Sequence, residues 1–135
     1  MATIRTVFDA SVLLRALLAE SEAARTWLRR VETFDARAHV PELVYAELAH
    51  ALLRAVRARK LSAEDAKGFL DSVLALPMRV HSHRRLAAAA LVVALERGTS
   101  VYDAMYLVLA DAADAVLVTA DRRLAEVYDR LELLT

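Results

Sequence analysis

Short runs of β-branched and apolar residues alternate with longer segments of helical periodicity along the chain. Ile4–Phe8 and Val116–Thr119 have the length and composition of buried strands, and weaker strand patterns cover residues 37–40, 78–82 and 131–134. Strands separated by helices are joined by crossovers and therefore run parallel. The pattern predicts an α/β fold, a three-layer α/β/α sandwich with a central, mostly parallel sheet of about five strands.

Several helix ends carry recognisable signals. Pro41 is expected to open a helix, because its missing N–H has no partner in a first turn anyway. Ser62 and Asp65 have the spacing of a capping box, and Gly98 follows a helix where a left-handed residue is favoured. The predicted helices cover residues 10–19, Glu22–Glu32, 41–59, a segment that Ser62 caps and that ends before Pro77, His83–Arg97, 101–113 and 122–128.

Length and composition predict a single domain over residues 1–135. Hydrophobic residues make up 58% of the chain, with only two Gly and two Pro, so it can bury enough apolar surface to offset its ordering entropy. The longest apolar stretch, residues 86–95, is about half of a membrane span. Residues 1–8 contain Arg5 and lack the long apolar region of a secretory signal. A cytoplasmic location is therefore expected.

The charge balance limits the kinds of partner. Eighteen basic residues offset 18 acidic ones, so no global field attracts a polyanion. The chain has no Cys and only four scattered His, which disfavours a zinc site. Arg outnumbers Lys by sixteen to two, and Arg suits bidentate phosphate contacts. Local basic groups are either phosphate-binding or simply solvated; they are Arg54, Arg57 and Arg59 with Lys60, and Arg84 with Arg85.

Two acidic residues directly follow predicted strands. Asp9 comes after Ile4–Phe8, and Asp121 lies just beyond Val116–Thr119. In open parallel sheets the site lies beyond the carboxyl ends of the strands, which makes both residues candidates. Each also precedes a helix, so the alternative role of a helix N-cap stays open.

Two further acids lie within predicted helices. Glu47 shares a helical face with Leu43, Ala46 and Ala51, so its carboxylate needs a cation, a proton or a partner such as His50 or Arg54. Asp103 lies on a face with Tyr106, Leu107 and Ala110, although Ser100 and Asp103 also have capping-box spacing.

Together the four acids predict an acidic pocket without a basic neighbour for each carboxylate. Their mutual repulsion would be relieved by a hard divalent cation such as Mg²⁺, which prefers oxygen ligands. Such a site suits metal-assisted hydrolysis of phosphodiesters.

Four segments in this order resemble PIN domains, and in particular the toxins of VapBC-type toxin–antitoxin pairs. They are VFDASVLLRALL, PELVYAELAHAL, SVYDAMYLVLA and VLVTADRRLA, which together extend from residue 7 to residue 125. The resemblance implies an endoribonuclease that uses Mg²⁺ or Mn²⁺. It implies that Asp9, Asp103 and Asp121 hold the metal, that Glu47 completes the pocket and orients water, and that Ser11 and Thr119 are supporting polar residues. It further implies an RNA substrate, a homodimer and a small VapB-type antitoxin.

Other classes of protein share some of these sequence features. A phosphoacceptor receiver domain requires a Lys after a late strand, and neither Lys60 nor Lys67 has that position. A PIN nuclease of RNA processing stays open, whereas a catalytically inactive interaction module is disfavoured because all four acids are present. His39, His50, His81 and His83 receive no assigned role.

Overall fold

A parallel sheet of five strands runs through residues 3–134, the part of the chain that the computed structural model describes. The strands are β1 (Ile4–Phe8), β2 (Ala36–Pro41), β3 (Arg79–His81), β4 (Val116–Thr119) and β5 (Leu131–Leu133). Their order is β3-β2-β1-β4-β5, and each neighbouring pair is parallel. The predicted three-layer α/β/α sandwich is confirmed.

Seven helices connect these strands within residues 3–134. They are α1 (Ala10–Leu17), α2 (Glu22–Glu32), α3 (Leu43–Arg57), α4 (Ala63–Leu74), α5 (His83–Arg97), α6 (Val101–Ala112) and α7 (Arg122–Ala125). Ser62 caps α4 by accepting from the Asp65 N–H, and Gly98 ends α5 with a left-handed φ of 71°, as predicted. The helix predicted over residues 122–128 is shorter, because α7 ends at Ala125.

The prediction that Pro41 opens a helix is wrong. Pro41 is the last residue of β2 and lies in register with His81 of β3. The next residue, Glu42, donates its backbone N–H to the His81 carbonyl at 2.8 Å. Because Pro41 has no N–H, the last hydrogen bond between β2 and β3 comes from the backbone N–H of Glu42. The strand therefore extends through Pro41, and α3 begins at Leu43.

The core lies between the sheet and its helices. Val7, Phe8, Leu117 and Val118 are fully buried on the two central strands. Helix α6 packs on β1, β2 and β4 and buries half of its residues, while α5 packs against α6. No helix within residues 3–134 has both the length and the apolar character needed to cross a membrane.

The order of the strands determines where polar groups converge. Strands β2 and β3 lie on one side of β1 within the sheet, and β4 and β5 lie on the other side. The strand order therefore reverses between β1 and β4. Phe8 is in register with Val118, which brings Asp9 beside Thr119 at the carboxyl edge. A ligand site is expected at this edge in a sheet of this kind.

Candidate active site

Asp9 is the most deeply placed of the four acids. It follows β1, caps α1, and is only 8% exposed. Its Oδ1 accepts hydrogen bonds from the Ser11 N–H at 3.1 Å, the Ser11 hydroxyl at 2.5 Å and the Val12 N–H at 3.3 Å. Burial raises the pKa of this carboxyl even though these hydrogen bonds act in the opposite direction. Asp9 is thus both a helix cap and a buried carboxylate.

The hydroxyls of Ser11 and Thr119 connect Asp9 to the end of β4 through hydrogen bonds. The fully buried Thr119 hydroxyl donates to Asp9 Oδ2 and accepts from the Asp121 N–H at 2.9 Å. Ser11 Oγ accepts from the Ala120 N–H at 3.0 Å. The structure therefore brings Ser11 and Thr119 together at Asp9. Among residues 3–134, the Thr119 hydroxyl is the one donor to Oδ2, so this oxygen has a lone pair available for a further ligand.

Glu47 faces the same region from α3. The buried stripe of α3 consists of Val44, Leu48 and Leu52, so Glu47 lies beside that stripe and is open to solvent rather than inside it. The Tyr106 hydroxyl of α6 donates to Glu47 Oε1 at 2.5 Å. This phenol is the partner of Glu47, in place of the His50 or Arg54 considered from the sequence.

The pKa of Glu47 is raised by its surroundings, which include two other carboxylates. Partial burial raises it most, and the negative charges of Asp9 and Asp103 raise it further, while the Tyr106 hydrogen bond lowers it. The pKa of Tyr106 is raised in turn, by burial first and then by its bond to Glu47. Asp9 and Asp103 therefore both lie close enough to Glu47 for their charges to act on its carboxyl group.

Asp103 lines the space in front of Glu47. It lies in the first turn of α6, where Ser100 caps the helix by accepting from the Asp103 N–H at 3.0 Å. This bond uses the backbone of Asp103, and its half-buried side chain contributes to the wall of a groove.

Asp121 is placed differently from the other three acids. It caps α7, and its carboxylate forms a bidentate pair with Arg123, at 3.1 Å from Nε to Oδ1 and 2.7 Å from Nη2 to Oδ2. The Arg123 hydrogen bond is the main cause that lowers the pKa of Asp121. The expectation that no basic residue would neutralise these acids is wrong at this position, because the start of α7 turns the Arg123 side chain back onto Asp121.

A groove of about 820 Å³ runs past Glu47 and Asp103. Its wall carries cationic or titratable groups from several elements, among them His50 and Arg54 of α3, Arg97 of α5 and Arg123 of α7. Asp9 and Asp121 lie outside this wall. The groove thus combines the carboxylates of Glu47 and Asp103 with several basic side chains. This combination suits a cation together with a phosphate group.

The carboxylates at this edge of the sheet provide oxygen donors for a hard divalent cation, but they are not gathered around one point. Within residues 3–134, no three His, Asp or Glu side chains already stand close enough together to hold a metal ion. The chemistry of the donors nevertheless fits, because Asp9, Glu47 and Asp103 all offer carboxylate oxygen atoms. The pKa of Glu47 is raised by burial first and then by the negative charges of Asp9 and Asp103. Asp121 would need to leave Arg123 or to act through water.

Sequence reasoning missed two participants. The sequence pattern places Tyr106 on the helical face of Asp103 and gives it no further role; a phenol three residues from an acid on that face is the polar signal for it. Arg123 stands two residues after Asp121, and this short spacing was the available signal for their ion pair.

The chain belongs to the PIN domain family, whose model matches residues 6–130. Among similar proteins, Ribonuclease VapC3 of Pyrobaculum aerophilum is 28% identical over 95% of this chain and 98% of its own length. Ribonuclease VapC9 of Mycobacterium tuberculosis is 35% identical over 89% of this chain and 88% of its own length.

Solved structures show the same fold. A crystal structure of a Pyrobaculum aerophilum protein superposes on this chain with a TM-score of 0.75 at 29% sequence identity. The superposition covers 95% of this chain and 82% of the Pyrobaculum aerophilum chain. The VapBC2 structure of Rickettsia felis, bound to a DNA fragment from the promoter, has a TM-score of 0.69 at 14% identity and covers 98% and 100%. At that identity the second likeness concerns the fold alone.

Proposed function

We propose that this protein is a metal-dependent endoribonuclease that hydrolyses RNA phosphodiester bonds with Mg²⁺ or Mn²⁺, and that it is the toxin of a VapBC-type toxin–antitoxin pair in the cytoplasm. Membership of the PIN family and the likeness to proteins named Ribonuclease VapC support a nuclease. The observation that carries the metal-dependent site is that Asp9 and Asp103 approach Glu47 closely enough for their charges to act on it, beside a groove that Glu47 and Asp103 line.

The metal would be held by Asp9 and Asp103, with Asp121 as a more distant ligand through water, while Glu47 would complete the pocket. When bound, a hard cation lowers the pKa of water and stabilises charge on phosphate oxygens. Asp9 is suited to this role because the hydroxyls of Ser11 and Thr119 hold its carboxylate in one orientation. Fixed ligands lower the cost of ordering the site when a cation arrives.

Glu47 is proposed to orient the attacking water and to accept its proton. Its carboxylate lines the groove, which is the position that a general base needs in order to reach a water bound there. The hydrogen bond from Tyr106 holds the carboxylate in place and restrains the rise in its pKa.

The substrate is proposed to be single-stranded or looped RNA in the groove beside Glu47 and Asp103. Arg54, Arg97 and His50 line that groove and offer donors for phosphate oxygens. The overall charge of zero favours contacts confined to this groove over general adhesion to polyanions.

The partners proposed are a second copy of this chain and a VapB-type antitoxin that covers the acidic groove with a basic side chain. The relatives named Ribonuclease VapC support this choice. Production of the protein without its antitoxin should arrest growth. Normal growth alongside RNA cleavage in vitro would instead favour a nuclease of RNA processing.

The decisive test is cleavage of a labelled single-stranded RNA with Mn²⁺, with Mg²⁺ and with EDTA. We expect cleavage with either metal and none with EDTA. Asp103→Asn should lower the rate at least about 100-fold, since the amide keeps the shape but removes the charge that binds the cation. Asp111→Asn is the matched control, because Asp111 is an exposed acid of the same helix. Unchanged cleavage in EDTA, or full activity of Asp103→Asn, would refute the proposal.

A further inference from the structure

A cavity of about 230 Å³ lies at the amino edge of the sheet, where the parallel strands begin. The residues that line it stand at the start of three strands or just before them: Thr3, Phe34, Ala36, Arg37, Pro77 and Arg79. None of these six is acidic. Asp35 is their neighbour in the sequence, but its carboxylate accepts from the Thr33 hydroxyl at 3.2 Å and does not line the cavity. The proposed nuclease function uses none of the lining residues.

Two exposed arginines contribute their side chains to this cavity. Arg37 and His39 share one face of β2, and His39 is in register with Arg79 of β3, so both arginines leave the sheet on the same face. Arg5 of β1 is in register with Arg37, but it is paired with Asp114 at 2.8 Å. Among residues 3–134, neither Arg37 nor Arg79 forms an ion pair with a carboxylate. Their guanidinium groups are therefore available to an anion.

The positive charge at this edge of the sheet acts on a neighbouring side chain. Burial lowers the pKa of His39 most, and His81 and the charges of three arginines lower it further. Those arginines are Arg79, Arg37 and Arg5. The whole chain has a formal net charge of zero, so this cluster is a local concentration of positive charge. A bound anion would offset the repulsion among these groups.

Phe34 brings an exposed aromatic ring to the same cavity. Its side chain is 71% exposed, and it follows Thr33, the C-cap of α2, with a left-handed φ of 64°. Glycine is favoured at this position after a helix, and a bulky residue with such a φ is uncommon. Neither burial nor backbone preference accounts for a phenylalanine here. A ligand that stacks on the ring does account for it.

We propose that this cavity is a nucleotide-binding site, in which Arg37 and Arg79 bind the phosphate and Phe34 stacks on the base. The planar guanidinium group suits phosphate oxygens, and any base can stack on an aromatic ring. A free mononucleotide and the 5′-phosphorylated end of an RNA present the same phosphate and base. The site lies at the edge of the sheet opposite Asp9, so it does not depend on the proposed nuclease function.

Binding is tested by titration calorimetry with AMP, inorganic phosphate and adenosine, in EDTA so that no metal occupies the acidic groove. We expect AMP to bind more tightly than phosphate, because the base adds a stacking contact. Adenosine should bind much more weakly than AMP, because it lacks the charge that the arginines recognise. Equal Kd values for AMP and phosphate would remove the base from the site. Failure of AMP to bind at millimolar concentrations would overturn the site and leave the proposed nuclease function standing.

Substitutions separate the phosphate contact from the base contact. Arg37→Ala and Arg79→Ala should each raise the Kd of both AMP and phosphate at least about tenfold, since each removes charge-assisted hydrogen bonds. Phe34→Ala should raise the Kd of AMP at least about fivefold and leave that of phosphate unchanged, while Phe34→Tyr keeps the ring and the affinity. Arg37→Gln and Arg79→Gln replace any Ala variant that circular dichroism shows to be unfolded.

Arg57→Ala is the matched control, because Arg57 is an exposed arginine of α3 that lies outside the cavity. It should bind AMP and phosphate as the wild type does. A loss of AMP affinity as large in Arg57→Ala as in Arg37→Ala would overturn the assignment. An AMP affinity that Phe34→Ala does not change would overturn it as well.

The source of the nucleotide is distinguished by competition against bound AMP, again in EDTA. The competitors are two short RNAs of one sequence, with and without a 5′-phosphate. Displacement of AMP by the phosphorylated RNA alone would identify the RNA end as a ligand, and displacement by neither would identify the free nucleotide. Equal displacement by both would overturn the assignment, because an internal phosphodiester would then compete as well as a terminal phosphate.

Discussion

Replacing Asp9 by Asn and by Ala should change stability in opposite directions. Asn keeps the shape, and its Oδ1 can still accept from Ser11 and Val12, while its amide can donate to Thr119 Oγ1. The variant removes a negative charge from a side chain that is only 8% exposed. Without metal, we expect Asp9→Asn to be neutral or about 1 kcal/mol more stable, because the cost of burying an unpaired carboxylate disappears.

Asp9→Ala should be destabilising by about 2–3 kcal/mol. It removes the cap of α1, which costs roughly 1 kcal/mol, and it leaves the hydroxyls of Ser11 and Thr119 without their acceptor. In a domain of this size 1 kcal/mol corresponds to roughly 3–4 °C in Tm. The Ala variant should therefore melt on the order of 10 °C below the wild type, and the Asn variant at or above it.

The pH dependence of the free energy of unfolding provides an independent test of the role of Asp9. Burial raises the pKa of Asp9, so the folded protein holds this proton more tightly than the unfolded chain does. The stabilisation that protonation provides is complete below the unfolded pKa near 3.8 and is lost as pH rises through the folded pKa. Asp9→Asn has no such loss, so its stability relative to the wild type should increase between about pH 4 and pH 7.

The assay is thermal melting of the wild type and both variants, at pH 5 and pH 7, with EDTA and with Mn²⁺. Free metal at a hundredfold excess over its Kd should stabilise the wild type by about 2.7 kcal/mol, and Asp9→Asn should show a much smaller shift. The reasoning fails if Asp9→Asn loses as much stability as Asp9→Ala in every condition and the wild type gains nothing from Mn²⁺. Asp9 would then be a helix cap and nothing more.

Two further predictions concern neighbours of the acids. Tyr106→Phe removes the hydrogen bond that lowers the pKa of Glu47, so the acidic limb of the pH–rate profile should move to higher pH; an unmoved limb would show that Glu47 does not control it. Arg123→Ala should release Asp121 and strengthen Mn²⁺ binding several-fold in calorimetry, whereas an unchanged or weaker affinity would remove Asp121 from the set of metal ligands.

The sequence by itself determined the order of elements and the position of two acids along it. The periodicity from Ile4 to Leu133 predicted alternating strands and helices, because local propensity and buried apolar patterns agree in this chain. Asp9 follows β1 directly, so a parallel sheet alone places it at the carboxyl edge. The same local signals failed at Pro41, where pairing with β3 extended the strand beyond the point that helix-start preferences indicated.

Only the tertiary structure decided which side chains meet. Glu47 and Tyr106 are far apart in sequence, and their hydrogen bond exists because α3 and α6 converge at one edge of the sheet. The raised pKa of Glu47 has the same origin, since charge and burial act through space and not along the chain. Local spacing could suggest that Arg123 reaches Asp121, but the orientation at the start of α7 determines that this acid is paired while Asp103 faces the groove.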